Sequence, residues 1–328
     1  MTKMIAILSL MLISSTVFAD VKAISTLIEK AMLTNIFFWG ETHAIPQQFE
    51  ILNGFIAKAN KEEVFDVIAT EAVLVENNNL FQAYLTDPTA NAGSLTEKKF
   101  FAKLLKNKIA WPTHEFSREF FRRLRLYKIA HPNTKICGID RLPSLYSSLD
   151  YRKNLLAGIS SELKTKMLNF FRTTEIEIVS EVFKNVFNDA LREVGMAQAA
   201  ISCINGSKRS FIHAGSYHTR NPMLINKSGK EHWIPLTGYI FDQFPSEKFY
   251  TLNNTLIFID SDPFRQLSSK LGLNQHVQVL SAQELQTYSE LLRETRIDSK
   301  TKEIYDKSLL EWDLYILGPR SGTSDSAP

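Results

Sequence analysis

The stretch that most constrains this chain is Ile36-Phe37-Phe38-Trp39-Gly40-Glu41-Thr42-His43. Four large apolar residues in a row suit a strand buried on both faces, and the immediate change to glycine, acid and imidazole suits a strand that ends at a site. In extended backbone, residues two apart point the same way, so Glu41 and His43 could present a carboxylate and an imidazole to one cavity, with Gly40 letting the backbone bend. The alternative is an acid and a histidine in a surface loop, both facing water.

The same pattern recurs downstream. Val64-Phe65-Asp66-Val67-Ile68-Ala69-Thr70-Glu71 reads as a second strand ending in an acid, and Thr134-Lys135-Ile136-Cys137-Gly138-Ile139-Asp140 as a third, followed by Arg141. A fourth strand begins near Arg209 and runs through Ile212-His213-Ala214-Gly215-Ser216-Tyr217-His218-Thr219, a small-residue loop with two histidines. Further short strands fit at 249–252, 256–259, 277–280 and 314–317.

Helical stripes separate the strands: Val21, Ile24, Leu27, Ile28 and Ala31 before the first, then Phe49, Leu52, Ile56 and Ala59 after it. Strand, helix, strand in this order predicts parallel pairing with a right-handed crossover. The expected fold is α/β, a central and largely parallel sheet flanked by helices, in one domain over 20–317. Helical insertions at about 80–130 and 146–204 are expected to form a cap. In the helix from Glu115 to Ile129, Phe116, Phe120, Leu124 and Tyr127 share one face and Arg118, Arg122 and Arg125 another. That arginine stripe reads either as a solvated face or as an anion-attracting wall beside the pocket.

With 328 residues, 44% of them hydrophobic, the chain can bury a substantial core. Residues 1–19 carry one charge, Lys3, then the apolar run Ile5 to Leu12 and a small-residue end, Val17-Phe18-Ala19. That is the pattern of a secretory signal peptide cleaved before Asp20, and it implies a secreted or periplasmic protein. No later stretch is long and apolar enough to span a membrane. Basic residues outnumber the 35 acidic ones only slightly, which gives no reason to expect nucleic acid as a partner. Cys137 and Cys203 are the only cysteines, equally readable as one disulfide or as two buried thiols. The Ser-, Gly- and Pro-containing tail at 318–328 is expected to be disordered.

Four strands therefore end in Glu41/His43, Glu71, Asp140 and His213/His218, and in an open α/β sheet such ends share one edge, where ligands bind. Each residue has a simpler role open to it: Glu71 as a helix cap, Asp140 as a partner of Arg141 or Arg118, His213 as a core histidine. Their joint recurrence favours a site. There is no phosphate-binding glycine loop, no G-x-S-x-G elbow around Ser216 and no H-E-x-x-H, which disfavours a nucleotide enzyme, a serine hydrolase and a zincin.

Gly40-Glu41-Thr42-His43, Thr70-Glu71-Ala72, Gly138-Ile139-Asp140 and His213 to Thr219, in that order, resemble the erythromycin esterase / ChaN / Tiki superfamily. Ile234-Pro235-Leu236-Thr237-Gly238-Tyr239, Phe249-Tyr250-Thr251-Leu252 and Trp312-Asp313-Leu314-Tyr315-Ile316 are similar to its esterase branch. The short Glu-x-His spacing is closer to the ChaN style, although Gln47 and Gln48 stand where that branch has a further histidine pair.

The resemblance implies a hydrolase for an ester, lactone or amide of a small molecule or peptide, with no cofactor. Glu41, His43, Glu71, His213 and His218 would do the chemistry, and Asp140, Arg141 and Tyr217 would line the substrate. His43 would take a proton from water, and His213, His218 or Arg141 would steady the oxyanion. Its other branches imply a divalent metal, zinc or manganese, on Glu41, His43, Glu71 and His218, or haem bound through Tyr217 or His218. An exported toxin or effector is a further possibility, with no residue pattern to support it.

Overall fold

The computed structural model describes residues 21–41, 46–106, 115–173, 180–222, 234–253, 278–284 and 312–317. His43, the strand expected at 256–259, the leader and the tail lie outside the described residues. Helix α1 covers 21–32 and leads into β1 (Ile36–Glu41), which is followed by α2 (Pro46–Glu62) and β2 (Val67–Leu74). Then come α3 (Asn78–Thr86), α4 (Leu95–Lys106), α5 (Glu115–Ala130) and β3 (Lys135–Asp140). The helices α6 (Leu149–Ala157), α7 (Ser161–Thr173) and α8 (Ser180–Ile204) precede β4 (Ser210–Gly215). The rest is α9 (Leu236–Gln243), β5 (Phe249–Asn253), β6 (Gln278–Ser281) and β7 (Leu314–Leu317).

Among the described residues the strands form one sheet in the order β3-β2-β4-β1-β5-β7-β6, parallel throughout except for β6 against β7. β1 lies between β4 and β5, and every one of its residues is buried, as its unbroken apolar run requires. Alternation splits those residues between two cores. Phe37 and Trp39 pack with Phe55, Phe65 and Phe211 beneath α2 and α5, whereas Ile36 and Phe38 join Leu191, Val194 and Ile240 beneath α8 and α9. Each fully buried aromatic or branched side chain contributes roughly 1.5–3 kcal/mol, so these two layers hold the sheet between the helices. The two helical stretches expected as insertions cover the faces: α3, α4 and α5 supply Phe81, Phe100, Phe121 and Leu124 to one core, and α6 and α8 supply Leu155 and Ala197 to the other.

The arginines of α5 are neither a solvated face nor a wall for anions. Arg122 grips Glu97 of α4 with Nε 2.6 Å from one oxygen and also pairs with Glu115 at 2.5 Å. Arg125, nearly buried, donates to the Asp87 carbonyl from Nη2 at 2.6 Å, and the Arg118 guanidinium lies 5.5 Å over the Phe101 ring. These contacts tie α5 to the α3–α4 hairpin. The reason is local: the loop at Asp87-Pro88 leaves a carbonyl without a helical partner, and a guanidinium supplies it.

Gly40 does not bend the chain; it keeps regular register opposite Ala214 and Asn253. Its use is closeness. A β-carbon there would lie 2.8 Å from Ser216 Cα and 3.0 Å from the Leu252 carbonyl, and against Thr219 Oγ1, because the 3-10 turn Ser216–Thr219 folds directly over β1. Two of those neighbours are backbone and cannot rotate away. Gly40→Ala should therefore cost about 1–3 kcal/mol, read as a lower urea midpoint at unchanged slope, and a parental midpoint would refute the close approach.

Candidate active site

The parallel core β3-β2-β4-β1-β5 brings the carboxyl ends of these strands to one edge, and β2, β4 and β1, side by side, set Thr70, His213 and Trp39 in one row, with Glu41 opposite Gly215. Alternation sends consecutive residues of each strand to opposite faces. On the α5 side, Glu41 Oε2 stands 3.1 Å from His213 Nε2, and neither side chain is exposed. His213 Nδ1 is 3.0 Å from Thr70 Oγ1, which also accepts the Ala72 amide at 3.1 Å. The Phe120 ring packs 4.6 Å from the imidazole and closes the pair off.

On the α8 side the groups are partly open. Arg192 of α8 donates to Glu71 Oε1 from Nη2 at 2.6 Å and forks onto Asp140, Nε to Oδ1 at 3.1 Å and Nη2 to Oδ2 at 2.9 Å. The other Glu71 oxygen accepts the Gly215 amide at 2.7 Å. His218, in the turn after β4, meets Glu193 of α8 through Nδ1 at 2.5 Å, with Nε2 3.5 Å from Glu71 Oε1. Glu193 in turn accepts the Leu236 amide at 2.8 Å, at the first turn of α9.

Burial opposes charge on the His218 ring, but the Glu193 and Glu71 carboxylates outweigh it and push its pKa up to about 9. Burial likewise works against the Arg192 charge, and Glu71 and Asp140 more than restore it. Burial raises the pKa of Asp140 despite the guanidinium fork. This face thus sets the Arg192 and His218 cations among the carboxyl groups of Glu71, Asp140 and Glu193.

No protein-family model matches the sequence, and no curated protein matches it. Among solved structures, a histidine-to-asparagine mutant of erythromycin esterase EreC in its open conformation superposes with a TM-score of 0.52 and 11% identity, over 92% of this chain and 94% of that one. The chain has the erythromycin-esterase fold. ChaN of Campylobacter jejuni, solved with cofacial haem, gives a TM-score of 0.42 at 15% identity over 89% of this chain and 90% of that chain. The type III effector HopBA1 gives 0.35 at 17% identity over 60% of this chain and 73% of that chain.

Within the erythromycin-esterase fold, the residues expected to share one cavity divide between two faces. Glu41 and His213 lie together under α5, while Glu71, Asp140 and His218 lie together under α8, because Thr70 and Glu71 are adjacent in a strand and point oppositely. Arg141 reaches Glu76 at 3.4 Å and lies 5.9 Å over the Tyr151 ring, its backbone amide held by Asp140. Tyr217 is 51% exposed, with the Arg220 guanidinium 4.1 Å from its ring centre. Arg192, Glu193 and Thr70 enter the site without having been singled out in the sequence.

The described members of the metal set do not suit a divalent ion. Glu41 lies with His213 on the α5 face, whereas Glu71 and His218 lie on the α8 face, where the Arg192 guanidinium already pairs with Glu71, and among the described residues no three acids, histidines or cysteines converge as ligands. Both His218 ring nitrogens face carboxylates, Nδ1 at 2.5 Å from Glu193 and Nε2 at 3.5 Å from Glu71.

Proposed function

We propose that the chain is an exported hydrolase that adds water to an ester, lactone or amide carbonyl. The observation that carries this reading is His218, an imidazolium held by Glu193 and Glu71, 13% exposed at the carboxyl edge of a sheet with the erythromycin-esterase fold. A ring kept protonated at the working pH can give a proton to a leaving oxygen, and its pKa near 9 leaves that proton transferable.

In this scheme His43 takes a proton from water, and the water oxygen bonds to the acyl carbon. The carbonyl oxygen gathers the negative charge. The bond to the leaving group then breaks, the leaving oxygen or nitrogen takes the His218 proton, and solvent returns each imidazole to its starting state. Glu41, 3.1 Å from His213, stands two residues before His43 in the sequence. Tyr217 offers a ring face to the substrate, and Asp140 and Arg141 form the neighbouring wall. Export is supported by the leader and by the Cys137–Cys203 disulfide, which suits an oxidising compartment.

The test is a panel of p-nitrophenyl esters, simple lactones, amides and a macrolide lactone, assayed with protein recovered from the periplasm. Processed protein beginning at Asp20 should cleave at least one of them, and His43→Ala should lower kcat at least about 100-fold while the circular dichroism stays parental. A parent inactive on the whole panel, or a fully active His43→Ala, would remove the reading.

A further inference from the structure

Arg192 uses two of its three guanidinium nitrogens. Nε and Nη2 are spent on Asp140 and Glu71, whereas Nη1 has no partner among the described residues and the side chain is 28% exposed. The bidentate fork onto Asp140 fixes the plane of the guanidinium, so the two remaining N–H groups point in a set direction. They do so next to His218, because Arg192 Nη2 and His218 Nε2 both approach the same oxygen, Glu71 Oε1, at 2.6 and 3.5 Å.

We propose that Arg192 Nη1 is the donor that binds the substrate's carbonyl oxygen, making Arg192 a catalytic residue beside His218, and that the acyl substrate is uncharged around that carbonyl. The first part follows from geometry: a stabilising donor has to be pre-aimed and must not reorganise as charge develops, which a guanidinium clamped on two sides satisfies. Arg141 is the weaker candidate, since its single 3.4 Å contact with Glu76 does not fork onto a carboxylate and so does not fix the plane of its guanidinium.

The second part follows from charge. The carboxylates of Glu71, Asp140 and Glu193 face the two cations Arg192 and His218, so the cluster has no surplus positive charge to attract a carboxylate or phosphate. A neutral carbonyl needs none; its oxygen becomes anionic only in the transition state, where the donor counts most.

The inference draws on the hydrolase reading for turnover but not for binding, so two measurements separate them. In the first, arginine side-chain nitrogen resonances are recorded with δ-valerolactam and separately with acetate. The signal that Arg192→Lys removes should move saturably with the lactam and much less with acetate; no movement with the lactam, or an equal response to acetate, overturns the proposal. In the second, on whichever substrate the panel yields, Arg192→Lys should lower kcat about 100-fold with KM changed by less than about threefold, and a parental kcat overturns it. If the lactam shift is present while the parent hydrolyses nothing, the donor assignment stands and the hydrolase reading falls.

Discussion

Turnover by the His218→Asn protein is expected to be about a thousandfold below the parent's, within the range set by losing a positioned acid. The parent's kcat should also fall as pH rises through about 9, because that is where His218 gives up the proton the leaving group requires. Replacing Glu193 by glutamine removes the nearer carboxylate, so the alkaline limb should move to lower pH; in His218→Asn it should vanish.

Stability carries the same signature. The folded pKa lies above the ordinary histidine value of 6.5, so the ion-paired ring stabilises the fold fully below about pH 6.5 and loses that contribution as pH rises through about 9. The full effect is on the order of 3 kcal/mol, and the parent's thermal midpoint should drop between pH 7 and 9.5 more than the variant's. A kcat profile flat to pH 10, or an unchanged limb in His218→Asn, would rule out the acid role.

The position of this site along the chain was legible because strand ends are. Apolar runs announce one edge whatever the order of the strands: β1 and β3 end at Glu41 and Asp140 as read, although β2 continues past Glu71 to Leu74 and β4 past His213 to Gly215. The division of those residues between two faces was harder to see. It turns on a single step of alternation at Thr70 and Glu71, at the start of the stretch from Thr70 to Leu74 over which the β2–β3 register shifts. Arg192 and Glu193 left no sequence signal: they sit mid-helix in α8, where an Arg-Glu pair looks like ordinary surface, and only the packing of α8 on β2 and β3 aims them at the edge. The opposite error arose on α5, where a periodic arginine stripe suggested function and the structure uses it to hold the α3–α4 hairpin.

The late motif shows why a resemblance can be carried by support as well as by chemistry. Asp313 accepts the Thr251 amide at 2.8 Å and its hydroxyl at 3.0 Å, and takes the Asn221 side-chain amide at 2.9 Å on its other oxygen. Burial nevertheless raises its pKa. Trp312 Nε1 reaches Thr219 Oγ1 at 3.4 Å, one residue beyond His218. Residues that carry the resemblance therefore fasten β5, β7 and the histidine turn together.

Removing both sulfurs, as Cys137→Ala with Cys203→Ala, is expected to cost about 4 kcal/mol of unfolding free energy. The bridge joins residues 66 apart, and closing a loop of that length in the unfolded chain accounts for a figure of this size. The sequence left a disulfide and two buried thiols equally open; the structure decides for the bridge, with Cys137 in β3 and Cys203 in the last turn of α8. Those two elements also bear Asp140 and Arg192, so the bridge fastens together the strand and helix whose side chains form the guanidinium fork. Loss of the bridge should accordingly lower turnover as well as the urea midpoint, and a reductant should reproduce both effects in the parent but neither in the double variant. Equal midpoints for parent and variant, together with two thiols titratable in the unfolded parent without reductant, would show that the bridge does not form.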